Sequence, residues 1–146
     1  MLDRIDEQLV QMLGKDARQS SDTLAKKLGI SPATVRRRIK GLIKNEVIRT
    51  TVLVNPDKVG YPLTSIIAFD VELQNVESAL KFLASRPEVK WAVTTTGRYD
   101  ILVWAAFRST NELADFVEKG LSEMEGVKDT ETFVCLRVEK TKYIPV

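Results

Sequence analysis

Within Gly29-Ile30-Ser31-Pro32 one helix must end and another begin, and no other stretch constrains the fold as tightly. Glycine stops a helix by taking the left-handed backbone, a seryl oxygen caps free amides, and proline suits the first helical position. The helix that follows, to Lys44, carries Val35, Ile39, Leu42 and Ile43 on one face at helical spacing. Arg37, Lys40, Gly41 and Lys44 point away, with Arg36 and Arg38 on the flanks. Five basic residues and no acidic one lie between Arg36 and Lys44, so pairing three or four residues apart cannot neutralise the outer face. Read alone, such a face is an ordinary solvated surface; its neighbours decide otherwise.

Asp3 caps a first helix with Ile5, Leu9, Met12 and Leu13 as its apolar stripe and Gly14 as its stop. Ser20 or Ser21 caps a second, bearing Leu24, Ala25 and Leu28. Three short helices with one apolar stripe each must cover one another, and the last two are spaced as a helix-turn-helix. In that geometry the start of the later helix enters the major groove of double-stranded DNA. Ser31, Ala33, Thr34 and Arg37 are then expected near base edges, and Arg36, Arg38, Lys40 and Lys44 near phosphate. Val47 to Val54 is β-branched and reads as a strand, serving as a wing or as a hinge.

Charge supports a division of labour. Residues 1–50 hold eleven Lys and Arg against six Asp and Glu, a net of +5, whereas residues 51–146 hold eleven against fourteen, a net of −3. A polyanion-binding part is joined to a part with another task. Cys135 is the only cysteine and histidine is absent, which removes an intrachain disulfide, a cysteine-based zinc finger and Ser-His-Asp chemistry. The longest apolar run, Ile101 to Phe107, is too short to span a bilayer, and the start of the chain is unlike a signal peptide. No metal or cofactor and no enzymatic activity are expected, and the location expected is cytoplasmic.

Asn55-Pro56-Asp57 and Gly60-Tyr61-Pro62 punctuate the chain, giving expected domains of 1–50 and 63–146 with 51–62 as the link. Ser65 to Leu73 alternates as a strand with Ile67, Phe69, Val71 and Leu73 on one face, and Asn75 caps a helix with Val76, Ala79, Leu80 and Leu83 inward. Lys90 to Thr96 and Ile101 to Phe107 form two strands about a turn, Gly97 to Asp100, whose glycine permits a tight reversal. Ser109 and Glu112 form a capping box for a helix carrying Leu113, Phe116, Val117, Leu121 and Met124. A last strand runs from Thr130 to Val138. The order βαββαβ predicts an α+β chain: a winged or hinged helix-turn-helix followed by a ferredoxin-like sheet with both helices on one face. The other face, with Trp91 and Trp104, predicts a homodimer built through the sheets.

In LDRIDEQLVQML, DARQSSDTLAKKLGISPATVRRRIKGLIKNEVI, NPDKVGYP, TTTGRYDILV and GVKDTETFVCL, together with Lys140, the chain resembles the Lrp/AsnC, or feast/famine, transcription regulators. The resemblance covers almost the whole chain. It implies a winged helix-turn-helix, a βαββαβ effector and assembly domain, dimers through the sheets, and octamers of four dimers. It further implies that a small-molecule effector, often an amino acid, binds between dimers near the glycine-containing turn. Carried over, those residues are Gly97, Arg98, Tyr99 and Asp100, with Thr130, Thr132 and Phe133 on the last strand. Asp100 is the first candidate for an effector ammonium, while turn amides and threonyl hydroxyls suit a carboxylate.

Three rival readings remain at this stage. One is a nonspecific architectural DNA-binding protein, and another a metabolite-binding module with a vestigial DNA domain, which the basic outer face disfavours. The third is an enzyme similar to the related tetrapyrrole decarboxylases, whose sites implicate histidines that this chain lacks.

Overall fold

The computed structural model describes residues 2–139 and the backbone of residues 144–145. The chain divides into two compact units, Met1–Thr51 and Val52–Val146.

In the first unit, helices α1 (Arg4–Lys15), α2 (Ser21–Leu28) and α3 (Pro32–Lys44) each begin at a side-chain cap. Asp3 Oδ1 accepts from the Asp6 amide at 2.9 Å, Ser20 Oγ from Thr23 at 3.1 Å and Ser31 Oγ from Thr34 at 3.1 Å. Gly29 ends α2 at φ 68°, the left-handed region where a β-carbon is unfavourable. Leu9, Leu24, Ala25, Val35 and Leu42 are buried at the centre, with Ile5, Leu13, Leu28, Ile39 and Ile48 packed around them. Each fully buried leucine there contributes about 2 kcal/mol of transfer free energy.

Three expectations for this unit are corrected. Gly14 lies inside α1, which continues to Lys15 because the Asp16 amide still reaches the Met12 carbonyl. Ile43, assigned to the inner face, is exposed, since α1 and α2 cover only the stripe through Val35 and Leu42. The strand expected over Val47 to Val54 shrinks to β1 (Leu53–Val54), which already belongs to the second unit and pairs antiparallel there with β6 (Ile144–Pro145). Among the described residues the first unit has no wing strand. The amides of Val47 and Ile48 turn back to the Leu42 carbonyl to close α3, so they cannot serve a ladder.

The second unit runs β2 (Leu63–Val71), α4 (Val76–Ala84), β3 (Val89–Thr94), β4 (Ile101–Phe107), α5 (Thr110–Glu123) and β5 (Val127–Val134). The antiparallel sheet has the order β3-β4-β2-β5, the arrangement expected of a ferredoxin-like βαββαβ unit. Ile67, Phe69, Val71, Ile101, Val103, Ala105 and Phe107 form one sheet face, covered by Ala79 and Leu83 of α4 and by Phe116 and Met124 at α5. Both helices therefore lie on one side. Ile66, Trp91 and Phe133 remain 40%, 50% and 48% exposed, and the strand register puts Trp104 on the open face with Ile66 and Trp91.

Several local expectations differ here. Leu73 leaves the sheet for a short 3-10 turn and is exposed, because the Glu72 amide turns to the Gly126 carbonyl. Asn75 stands at the start of α4 but its side chain caps nothing, since it faces the turn at Gly126. Gly126 has φ 75° and a β-carbon there would come within 2.9 Å of Asn75 Oδ1, so glycine is required on both counts. That turn starts β5 three residues earlier than expected, and the strand stops at Val134 rather than Val138. Leu121 of α5 is exposed rather than inward. Glu112 completes the capping box from Arg108 N instead of from Ser109.

Candidate nucleic-acid interface and small-molecule site

The outer surface of α3 is built by spacing alone. Ala33, Arg37, Lys40 and Lys44 recur at four, three and four residues, which is one stripe of a helix. All four are exposed, as are Ser31 and Arg36, while Thr34 is half-buried. Among the described residues no carboxylate pairs with Arg36, Arg37, Lys40 or Lys44. Ser31 holds the first turn in place through its cap and through a 2.9 Å hydrogen bond between its hydroxyl and that of Thr34. The outcome is a cationic ridge whose N-terminal end carries small side chains.

Arg38 behaves differently from the other cations. Its Nη1 donates to Asp3 Oδ2 at 2.6 Å and to Asp6 Oδ1 at 2.9 Å, across to α1. These two carboxylates raise its pKa. Asp3 is held below the ordinary carboxylate range by the Asp6 amide first and by Arg38 second. Expected beside phosphate, Arg38 is thus occupied inside the protein. Sequence reasoning read Asp3 only as a helix cap and did not pair it or Asp6 with Arg38, because the partners lie 35 and 32 residues away, beyond any local pattern.

In the second unit the β3–β4 connection is a broad loop over residues 95–100 rather than a tight glycine reversal. The described glycines with positive φ are Gly29, Gly60 and Gly126, so Gly97 does not use its special freedom. Thr95 closes the loop instead, its amide reaching the Asp100 carbonyl at 2.8 Å and its hydroxyl the Tyr99 carbonyl. Asp100 Oδ2 accepts from the Val71 amide at 2.9 Å, and the Asp100 amide donates to the Phe69 carbonyl at 2.9 Å. One carboxylate oxygen of Asp100 is therefore engaged in seaming β4 to β2.

Tyr99 donates its hydroxyl to Glu131 Oε2 at 2.7 Å, which raises the phenol pKa and keeps it a donor. Arg98 stacks over the Tyr99 ring at 5.2 Å and approaches Asp129 at 3.9 Å. The loop thus meets β5 through Asp129 and Glu131, which sequence reasoning did not select. Their alternation with Phe133 was a usable signal, because residues two apart share a strand face. Thr130 and Thr132 lie opposite Phe69 and Ile67 on the helix-covered side, and Thr130 Oγ1 donates to the Ala68 carbonyl at 3.0 Å. The seven expected effector residues are accordingly split: Arg98 and Tyr99 reach β5, on whose open face Phe133 also lies, Gly97 stands in the loop between the strands, Asp100 closes the seam, and the two threonines face the other way.

Among the described residues no group of His, Cys, Asp and Glu is arranged to hold a metal, and no helix is long and apolar enough to cross a membrane.

Known proteins match both units. A model of the AsnC-type helix-turn-helix domain covers residues 2–43, and one of the Lrp/AsnC ligand-binding domain covers residues 64–144. An uncharacterised HTH-type transcriptional regulator of Pyrococcus furiosus is 37% identical over 100% of this chain and 99% of its own length. The structure of Escherichia coli AsnC superposes with a TM-score of 0.83 at 28% identity, covering 95% of each chain. A Neisseria meningitidis transcriptional regulator, solved as a complex with L-Met, gives 0.80 at 25% identity, covering 96% of this chain and 93% of that one. The family descriptions and the relatives' names are those of regulators rather than enzymes. A capped helix-turn-helix joined to an antiparallel sheet with two helices on one face, matched in both parts, means that this chain belongs to the Lrp/AsnC family of DNA-binding transcriptional regulators.

Proposed function

We propose that α3 reads operator DNA through Ser31, Ala33, Thr34 and Arg37, while Arg36, Lys40 and Lys44 neutralise flanking phosphates. The observation that carries this reading is the exposed stripe from Ala33 to Lys44, whose cations have no carboxylate partner among the described residues. Small residues at the helix start let the backbone approach base edges, and Arg37 has the fork that grips guanine at two acceptors. A dimer formed through the open sheet faces would present two such helices to half-sites on one side of the duplex. The exposed Ile66, Trp91 and Phe133 support that assembly, and the family resemblance supports further association to octamers. A role at DNA supports a cytoplasmic location.

A small effector, an amino acid by preference, is assigned to the loop at residues 95–100 and the facing edge of β5. The L-Met complex of the Neisseria relative supports this class of ligand. The second carboxylate oxygen of Asp100, without a hydrogen-bond partner among the described residues, and the Tyr99–Glu131 pair supply the polar groups an ammonium needs, and exposed loop amides suit a carboxylate.

Selection of binding sites from random duplexes, repeated with a mixture of amino acids, tests both halves. Enrichment of a pseudo-palindromic site is expected, and equal retention of all duplexes would make the protein an architectural binder instead. Arg37→Ala should weaken the selected duplex by about tenfold more than random DNA. Asp100→Asn retains an acceptor for the Val71 amide while removing the charge. It should keep the fold and lose the thermal shift that the effective amino acid produces; a retained shift would take Asp100 out of the site.

A further inference from the structure

We propose that Arg38 is a positioning residue for DNA reading: by bridging Asp3 and Asp6 it locks the α3 ridge to α1 at the angle that specific recognition requires. The inference rests on α3 being the reading helix.

Arg38 lies three residues after buried Val35 and four before buried Leu42, so it flanks the inward stripe rather than the DNA-facing one. Its charge is spent in a defined way. A single nitrogen, Nη1, serves both carboxylates, and Asp3 uses its second oxygen to cap α1. The cap of one helix and the cation of the other are therefore one joint. The Asp6 arm is the sheltered one, with Arg38 25% and Asp6 21% exposed, whereas Asp3 is 52% exposed. Screening leaves an exposed pair little weight in stability, so the joint matters mainly through geometry. Among the described residues of this unit only Leu9, Leu24, Ala25, Val35 and Leu42 are buried, and so few side chains leave the roll of α3 about its axis weakly determined. A contact displaced by an ångström no longer fits a base edge, whereas a phosphate contact on a flexible side chain tolerates the shift.

The test uses the full-length protein and fluorescence anisotropy with two probes, the duplex recovered by site selection and a scrambled duplex of equal composition, over a series of salt concentrations. Arg38→Gln should bind the selected duplex about tenfold more weakly. It should leave scrambled binding and the slope of log affinity against log salt unchanged. Lys40→Gln, the phosphate reference, should lower that slope by about 0.9. Asp6→Asn is decisive because two accounts give opposite signs. It removes a negative charge near DNA, so simple electrostatics predicts tighter binding, while loss of the joint predicts weaker binding to the selected duplex alone. Arg38→Lys retains one cation for the two carboxylates and should recover most of the loss.

A slope that falls in Arg38→Gln as it does in Lys40→Gln would make Arg38 a phosphate contact and overturn the proposal. Tighter binding by Asp6→Asn would also overturn it. So would affinity losses that track the thermal unfolding midpoint and vanish well below it. If the unaltered protein fails to separate the two duplexes, the reading role of α3 fails first, and that result is distinct from all of these.

Discussion

Two residues sit where their chemistry is unfavourable. Ser65 is fully buried on the helix-covered face of β2, and its hydroxyl has no hydrogen-bond partner among the described residues. An unpaired buried hydroxyl costs more than the methylene it replaces, so Ser65→Ala should raise stability by about 1 kcal/mol in denaturant unfolding. An unchanged or lower midpoint would mean that the hydroxyl is satisfied. Glu46 adopts φ 56° at the end of α3, a left-handed position usually given to glycine, and its charge also opposes the helix dipole. Glu46→Gly should add about 1 kcal/mol, read as a higher melting temperature. Neither feature was visible in the order of residues, because an alternating strand shows which side Ser65 faces but not whether a partner awaits it.

The joint between α1 and α3 has a pH signature. Asp3 carries a pKa below its ordinary value of 3.8, so whatever it contributes is fully present above that value and is lost as pH falls through the lowered one. The melting-temperature difference between the unaltered protein and Asp3→Asn should be constant above about pH 5 and shrink toward about pH 3. A difference that persists at lower pH would show that the carboxylate charge is not what Asp3 supplies. The helices themselves were legible: Asp3, Ser20, Ser31 and Ser109 each cap the helix that follows. Caps are local, acting within three residues. Strand ends were less legible, since β5 starts where Gly126 turns against Asn75 and β1 exists only where β6 meets it.

At the level of the molecule, the dimer proposed above rests on the open sheet face. Trp91 stands opposite Trp104 on that face, and half of its surface is uncovered in the single chain. Trp91→Glu should convert the proposed dimer to monomer in sedimentation, and weaken the selected duplex by at least about tenfold as the second half-site is lost. A dimer that survives this change would place the interface elsewhere. The opposite charge of the two halves fits the same picture, a cationic unit held to DNA and an acidic unit that does not compete for it.

The order of amino acids by itself determined the three capped helices, the sharp turn at Gly29, the cationic ridge of α3 and the βαββαβ succession. All of these follow from rules acting over a turn of helix or a pair of strand residues. Only the tertiary structure decided that Arg38 turns inward to Asp3 and Asp6, that Asp100 seams β4 to β2, and that Val47 and Ile48 close a helix instead of forming a wing. In each case a donor chose among acceptors brought near by packing, and that choice depends on distance in space, which spacing along the chain does not encode.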